Sequence, residues 1–544
     1  MKSSTTFGKS RPWILGLIVF VLAFDLAFFW QRFGGTYESE FGGHPDEAAH
    51  VVTGLFVRDA FVEGGRYAAD GFRGSPVSRG KEFAADYYTH YPKIGLGVWP
   101  PFFYLVQTAW TLPFGASRTS LLLLMCALAG ALGLLLYRAL HEEYGVSVAL
   151  AGAAVLLSLP LVRDQYGMVM AETLSALLIF GAMLAFGNFL DHERPSDAWW
   201  FGGLAALAIL TKGTGLALVL AAPFALLLTR KFHLLKRLVL WASVSMVLLV
   251  AGPWTWATRH LGKGGWLQPE PSWSFTREAL PYYAGKFGTA LGVLFLCLFA
   301  VGVVLKVRAR NHHSGRWSAV GALIIAAWIF QSIAPVGLEA RHLIPVLPPA
   351  IMFSVAGLAG LVRRFSRAEF VSPIAAASLW LLACGVFALP AITSSRKGKD
   401  CSGFAPLAEA MLAHAAPVDV TLVSSDATGE GMFIAEVALR ERRPGHVIQR
   451  ASKSLATSTW SGSGYTPAFD NDPDLLAFLT SGKIQYLVLD DAGLGNKRRR
   501  HHDDLKRVVE AHPERFEFMA EAELRRNGTV LEPSLKLYQI LRKK

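Results

Sequence analysis

The sequence predicts an all-α polytopic membrane domain followed by a small C-terminal α/β domain, and three observations lead there. Of the 544 residues, 52% are hydrophobic and only 17% charged, a balance found in multi-spanning membrane proteins rather than in soluble enzymes. Apolar stretches long enough to cross a bilayer recur between residues 12 and 392. From about Lys397 onward the composition becomes that of a soluble domain.

The first span, residues 12–30, reaches across a hydrocarbon core of about 30 Å at about 1.5 Å per residue. Lys2, Lys9 and Arg11 precede it as in a signal peptide. The run is too long for a signal core and further spans follow, so it reads as an uncleaved first helix. Apolar segments then recur at residues 121–140, 148–162, 171–190, 199–210, 213–228, 238–256, 287–305, 319–333, 343–362 and 373–392. The total is about eleven transmembrane helices.

Residues 98–113 are apolar but short, and Pro100-Pro101 stands near their start. Placed as a surface helix, this segment leaves Arg138, Arg194, Arg230-Lys231, Lys236-Arg237, Lys306 to Arg316 and Arg363-Arg364-Arg367 on the same side as the N-terminal Lys2, Lys9 and Arg11. That distribution obeys the positive-inside rule loop after loop. Counted as a span, it would turn every later basic loop outward and put Asp46 and Glu47 on the opposite side from Glu172. The domains are therefore residues 1–396, with a first outer loop 31–120 carrying amphipathic surface helices, and an extracytoplasmic domain 397–544. The chain is expected in the inner (plasma) membrane.

Loop lysines and arginines that set orientation account for the net charge of +12, so nucleic acid is set aside as a partner. Cys126, Cys297 and Cys384 lie in apolar segments and only Cys401 lies outside one, which implies no disulfide framework. In the C-terminal domain, strand-like residues 418–423 and 484–489 alternate with helix-like 430–440 and 503–511, the pattern of a small α/β domain. Residues 452–472 read as a long loop.

The residues that bear chemistry gather on the outer side. His44-Pro45-Asp46-Glu47 follows the first span and precedes a helix-like stretch, 48–62, with an apolar face of Val51, Val52, Leu55 and Phe56. Carboxylates at a membrane boundary are costly unless used; the plainer reading of Asp46 is a helix N-cap. Glu172 opens the fourth span, either as a second carboxylate at the same depth or as a helix N-terminal Glu favoured by the macrodipole. Lys212, in Thr211-Lys212-Gly213, is a phosphate contact or a snorkelling lysine. Arg341 and His342 open another span, as a cationic contact or as interfacial anchors. Trp99, Phe102, Phe103, Tyr104, Tyr282 and Tyr283 suit stacking on a sugar or prenyl chain, or an interfacial aromatic belt. Together the set suits transfer to a hydroxyl from an anionic lipid-linked donor, with a carboxylate taking the proton and cations stabilising the departing phosphate.

In the order and spacing of His44-Pro45-Asp46-Glu47, Trp99-Pro100-Pro101, Glu172, Thr211-Lys212-Gly213, Pro253-Trp254 and Arg341-His342 with Pro345 and Pro348, residues 10–365 resemble the GT-C membrane glycosyltransferases. The pattern is most similar to that of bacterial aminoarabinose transferases and protein O-mannosyltransferases. The resemblance implies an inverting transferase that takes a sugar from a polyprenyl phosphate to a hydroxyl acceptor on protein, lipid or glycan. By it, Asp46 is the base, Glu47 its neighbour, and Glu172 the acid that positions the acceptor or a divalent cation. His50 and Trp99 stand where aminoarabinose transferases carry a basic residue and a lysine, and Lys93 is the nearby substitute. The expected donor-phosphate set is then Lys93, Lys212, Arg341 and His342, with His44, His50, Trp99, Tyr282 and Tyr283 against substrate. A metal stays open: no fixed ligand spacing is present, and Mg2+ or Mn2+, if bound, falls to Asp46 and Glu172. Two other classes fit a polytopic chain, a transporter or flippase of lipid-linked saccharides and a non-catalytic scaffold.

Overall fold

The computed structural model describes residues 12–69, 75–263, 271–308, 314–334, 337–367, 370–388, 401–458 and 464–541. Lys2, Lys9, Arg11 and the expected domain boundary at 396/397 lie outside the described residues.

The membrane domain runs α1 (Pro12–Phe33), α2 (Glu47–Ala69), α3 (Pro76–His90), α4 (Phe102–Phe114), α5 (Arg118–Ser158), α6 (Pro160–Tyr166), α7 (Glu172–His192) and α8 (Pro195–Ile209). It continues with α9 (Leu218–Thr229), α10 (Leu238–Lys263), α11 (Trp273–Arg308), α12 (Gly315–Ile333), α13 (Leu347–Phe365) and α14 (Val371–Leu382). Seven helices among the described residues are long and apolar enough to cross a membrane, fewer than the about eleven expected. The segment expected at 121–140 and most of that at 148–162 fall in α5, which is broken at Gly145 (φ 81°); residues 160–162 open α6. A Cβ on Gly152 would meet Leu140 and one on Gly133 would meet Leu157, so the two halves of α5 lie antiparallel as a hairpin of two spans. The pieces at 195–209, 213–229 and 371–385 are shorter than the usual spanning length.

α11 turns back likewise at Gly292 (φ 74°). The rings of Phe287 and Phe299 come within 5.4 Å, whereas twelve residues of straight helix would separate them by about 18 Å. Its second half packs closely on α13: a Cβ on Gly302 would overlap the carbonyl of Phe353. Such backbone approach is how helices associate where lipid removes the hydrophobic drive. It fixes α13, and with it the turn that carries Arg341 and His342.

α4 is a surface helix. At its start the Phe102 N–H donates to Leu210 O (2.8 Å) and near its end Trp110 Nε1 donates to Ser120 O (2.9 Å), tying both ends to the same end of the bundle. α2 packs on it, burying Val51, Val52 and Leu55. At the other end of the bundle, Lys306 pairs with Glu143, Arg316 with Glu142 and Arg237 with Glu193. The basic loops singled out in the sequence therefore share one end, and Asp46 lies at the other.

The C-terminal domain contains a six-stranded sheet in the order β1 (Cys401–Ser402), β7 (Phe516–Arg526), β8 (Thr529–Ile540), β6 (Tyr486–Leu489), β2 (Val420–Ser424), β3 (Val447–Arg450). β6, β2 and β3 are parallel, while β1, β7 and β8 run antiparallel. α15 (Phe404–His414), α16 (Ala427–Arg440), α17 (Asp472–Thr480) and α18 (Arg500–Ala511) complete it. The expected strands and helices at 418–423, 484–489, 430–440 and 503–511 correspond to β2, β6, α16 and α18. The segment read as a loop at 452–472 carries two short paired strands, β4 (Ala456–Thr457) and β5 (Thr466–Pro467).

This domain clamps the first loop of the membrane domain. Glu40 accepts the backbone N–H groups of Gly403, Phe404 and Ala405 at 2.8, 3.0 and 2.9 Å, at the start of α15. Arg443 Nε lies 2.6 Å from Asp59 on α2, and Tyr91 donates to Glu441 at 2.6 Å. The chain from Glu40 to Asp46 is thus anchored at its start by one domain and, through Glu47, at its end by the other.

Candidate active site

Glu47, the first residue of α2, is buried and both its oxygens are engaged. Oε2 accepts the Gly43 N–H (3.0 Å) and Oε1 the Val169 N–H (3.1 Å), stapling the 43–47 turn to the loop ahead of α7. Burial pushes this carboxyl up, against the pull of Arg118 and of the two N–H donors. Glu47 thereby holds its neighbour in place and does not line the cavity described below. The Asp46 carboxylate caps no helix; among the described residues it meets Arg341 and His44.

Arg341 is the hub. One of its terminal nitrogens donates to Asp46 Oδ2 at 3.1 Å, the other lies 3.2 Å from Glu172 Oε1, and its Nε lies 2.5 Å from Glu339 Oε2. Glu172 also receives Lys212 Nζ at 2.5 Å. Three carboxylates and two cations from four stretches of chain therefore meet in one partly buried cluster, where pairing offsets the cost of burial. Glu339 completes the ring by facing His44 Nε2 at 3.4 Å. Burial would raise the Glu339 carboxyl, but the His44 hydrogen bond and the Arg341 charge bring it down to about 2.

A cavity of about 310 Å3 opens beside this cluster. Its polar wall is Asp46, Lys212, Arg341, His342 and Gln331; Val98, Pro100, Leu216, Phe330 and Ala334 supply an apolar wall. His50 and Trp99 close one side as a stacked pair, ring centroids 4.3 Å apart. His50 Nδ1 is 2.9 Å from the Tyr104 hydroxyl, and burial lowers its pKa to about 4, so it is neutral at physiological pH. The small-residue turn after Lys212, Gly213-Thr214, also borders the cavity.

Several expected contacts fall elsewhere. Lys93 does not reach the cavity: its ammonium donates to Ala427 O of the C-terminal domain at 2.9 Å, and burial lowers its pKa to about 7. The segment between α3 and α4 turns toward the C-terminal domain, which caps it. Tyr282 donates to Leu338 O (2.8 Å), and the Tyr283 hydroxyl lies 3.0 Å from His342 Nδ1. Both brace the 338–342 turn from behind. Glu339 and Gln331 are members that the sequence reading passed over. Gln331 carried a signal: a lone amide within the apolar stretch 319–333 is costly in a span unless it meets a polar partner.

The sequence assigns a divalent cation, if one binds, to Asp46 and Glu172. The space between Asp46 and Glu172, where the sequence placed one, holds the Arg341 guanidinium. No three His, Cys, Asp or Glu side chains gather to hold a metal among the described residues.

Comparison with known proteins follows the same lines. The family model described as dolichyl-phosphate-mannose-protein mannosyltransferase matches residues 98–256. The structure of ArnT from Cupriavidus metallidurans bound to undecaprenyl phosphate superposes with a TM-score of 0.58 at 14% identity, over 97% of this chain and 96% of that one. The chain has the GT-C membrane glycosyltransferase fold. The apo oligosaccharyltransferase of Archaeoglobus fulgidus superposes with a TM-score of 0.54 at 14% identity, over 87% of this chain and 69% of that one. No curated protein matches the chain by sequence. The match to ArnT runs almost end to end, so the GT-C likeness takes in the C-terminal domain, for which the sequence reading found no counterpart.

Proposed function

We propose that the protein is an inverting glycosyltransferase that moves a sugar from a polyprenyl phosphate to a hydroxyl acceptor on the extracytoplasmic side of the membrane. The observation that carries this is the Arg341 cluster: a carboxylate, Asp46, and two cations, Arg341 and Lys212, share the wall of a cavity whose other wall is apolar. The undecaprenyl phosphate bound in the ArnT structure supports a donor of that class.

In the reaction, Asp46 accepts the proton of the acceptor hydroxyl as its oxygen attacks the anomeric carbon. The bond from that carbon to the phosphate oxygen breaks on the opposite face, its electron pair leaves with polyprenyl phosphate, and the anomeric centre inverts. Lys212 and Arg341 stabilise the charge on the leaving phosphate. The apolar wall takes the first isoprene units. Glu172 holds both cations, and Glu47 holds the Asp46 turn; both are positioning residues. The gathering of basic loops at the far end of the bundle supports placing the cavity on the extracytoplasmic side, by the positive-inside rule.

Purified protein incubated with a polyprenyl-phosphate sugar and an acceptor extract should release free polyprenyl phosphate, and Asp46→Asn should not. A wild type that releases none from any such donor would sink the reading; a flippase or scaffold leaves the donor intact.

A further inference from the structure

Gln331, near the end of α12, is 1% exposed, yet it borders the cavity. Its carboxamide makes no hydrogen bond to any described residue, and Oε1 is buried without a partner. The next residue shows the contrast: Ser332 donates to Trp328 O at 2.8 Å, as a hydroxyl in an apolar helix ordinarily does. A buried carbonyl oxygen left alone is destabilising, and such groups in a folded protein call for an explanation.

We infer that Gln331 reads a hydroxyl of the donor sugar and so helps to set which sugar the site accepts. This rests on the proposed transferase activity and goes beyond it. The orphaned atom is a hydrogen-bond acceptor. A phosphate oxygen is an acceptor too and is already served by Lys212 and Arg341, whereas a sugar hydroxyl donates. A second orphaned acceptor lies in the adjoining charge cluster: Glu172, whose partners Lys212 and Arg341 border the cavity, leaves Oε2 without a partner. The terminal torsion of a glutamine is broad, so a small rotation turns either end of the amide into the cavity. With one acceptor and a pair of N–H donors, it matches neighbouring hydroxyls on a ring. The sugar is covalently joined to the phosphate that the cations hold, which places its hydroxyls in or beside the same cavity.

The test compares wild type with Gln331→Met, which keeps the length of the side chain and removes its polar atoms. Two readouts are taken: affinity for undecaprenyl phosphate alone, and both affinity and kcat/KM for a panel of polyprenyl phosphates carrying hexoses or pentoses that differ in hydroxyl configuration. The expected result is that Gln331→Met keeps undecaprenyl phosphate affinity within twofold while kcat/KM for the preferred donor falls roughly tenfold or more. The ranking across the panel should flatten. Loss of the orphaned polar group should leave the melting temperature unchanged or raised.

Equal weakening toward undecaprenyl phosphate and the sugar-bearing donor would make Gln331 a phosphate contact and overturn the inference. A raised acceptor KM with donor binding intact would assign it to the acceptor and overturn it as well. An unaltered ranking would leave only a structural residue. If the wild type turns over no donor, the transferase reading falls by itself. The affinity difference between undecaprenyl phosphate and its sugar-bearing forms then still decides Gln331, since a sugar reader narrows that difference when mutated.

Discussion

Two buried charge clusters in this molecule look alike and differ in how completely their carboxylates are satisfied. In the C-terminal domain, Asp426 opens α16 and accepts five hydrogen bonds: from the N–H groups of Thr428 and Gly429, from Lys497, and from both terminal nitrogens of Arg526, all between 2.8 and 3.2 Å. In the membrane domain, Asp46 meets Arg341 and His44, Glu172 leaves one oxygen without a partner, and the cluster lies against a cavity. A fully satisfied carboxylate is spent on holding the fold. One that is half satisfied beside a cavity has capacity for a ligand. On the proposed function, the difference separates structural from functional charge where burial alone does not.

The strongest way to break this comparison is to neutralise the carboxylate of each cluster. Asp46→Asn should lower kcat by about 10^3-fold, within the range for loss of a general base, while the melting temperature in detergent moves little. A drop in kcat of less than about tenfold would remove Asp46 as the base. Arg341→Gln should act on both quantities. It leaves Asp46 and Glu172 facing each other without their shared cation, so activity should be lost and stability fall by about 3 kcal/mol. Retention of the native melting temperature would mean that the cluster is not the coupled unit its distances suggest.

Asp426→Asn is the control from the other cluster. Five donors lose a charged acceptor, and stability should fall by about 1–3 kcal/mol, with kcat per folded molecule unchanged. Should polyprenyl phosphate release fall at constant folded fraction, the C-terminal domain would carry part of the chemistry and the contrast would fail.

Much of the site was legible in sequence because its members carry charge in apolar surroundings. Asp46, Glu172, Lys212 and Arg341 are conspicuous for that reason, and the positive-inside rule then put them on one side of the membrane. What sequence withheld was pairing. Nothing in Glu47 itself says that both its oxygens face backbone N–H groups, or that Arg341 takes the place assigned to a metal. The α/β domain was legible through β2, β6, α16 and α18, but its longest strands were not. β7 and β8 join at Asn527 (φ 52°) and Gly528 (φ 74°), the two-residue turn that Asn-Gly favours. Leu524, Leu535 and Leu537 are buried there while Glu521, Arg525 and Val530 stay outside, so the alternation was present but shorter than the strands. The spans at 121–140 and 148–162 were found, and the chain joins them through a tight reversal at one glycine, Gly145.

Lys93 gives the finest test, because the sequence made it a phosphate ligand and the structure makes it an interdomain contact. Lys93→Met should change kcat/KM for the donor by less than about threefold, since a buried hydrogen bond to Ala427 O contributes only about 1 kcal/mol and none of it to the cavity. The pH dependence is the sharper readout. Burial brings the ammonium down from 10.5 to about 7 in the folded protein, so between pH 7 and 10.5 the unfolded chain binds more protons at this position than the native one. Stability contributed by Lys93 must then rise with pH across that window, and below pH 7 the whole cost of charging it is present. Thermal melting of wild type minus Lys93→Met, followed from pH 7 to 10, should show the wild type gaining on the variant. The difference isolates Lys93 from the other titrating groups, which both proteins share. Parallel curves would mean that the ammonium is solvated and the two domains do not close over it. A donor kcat/KM reduced 10^2-fold with parallel curves would return Lys93 to the phosphate.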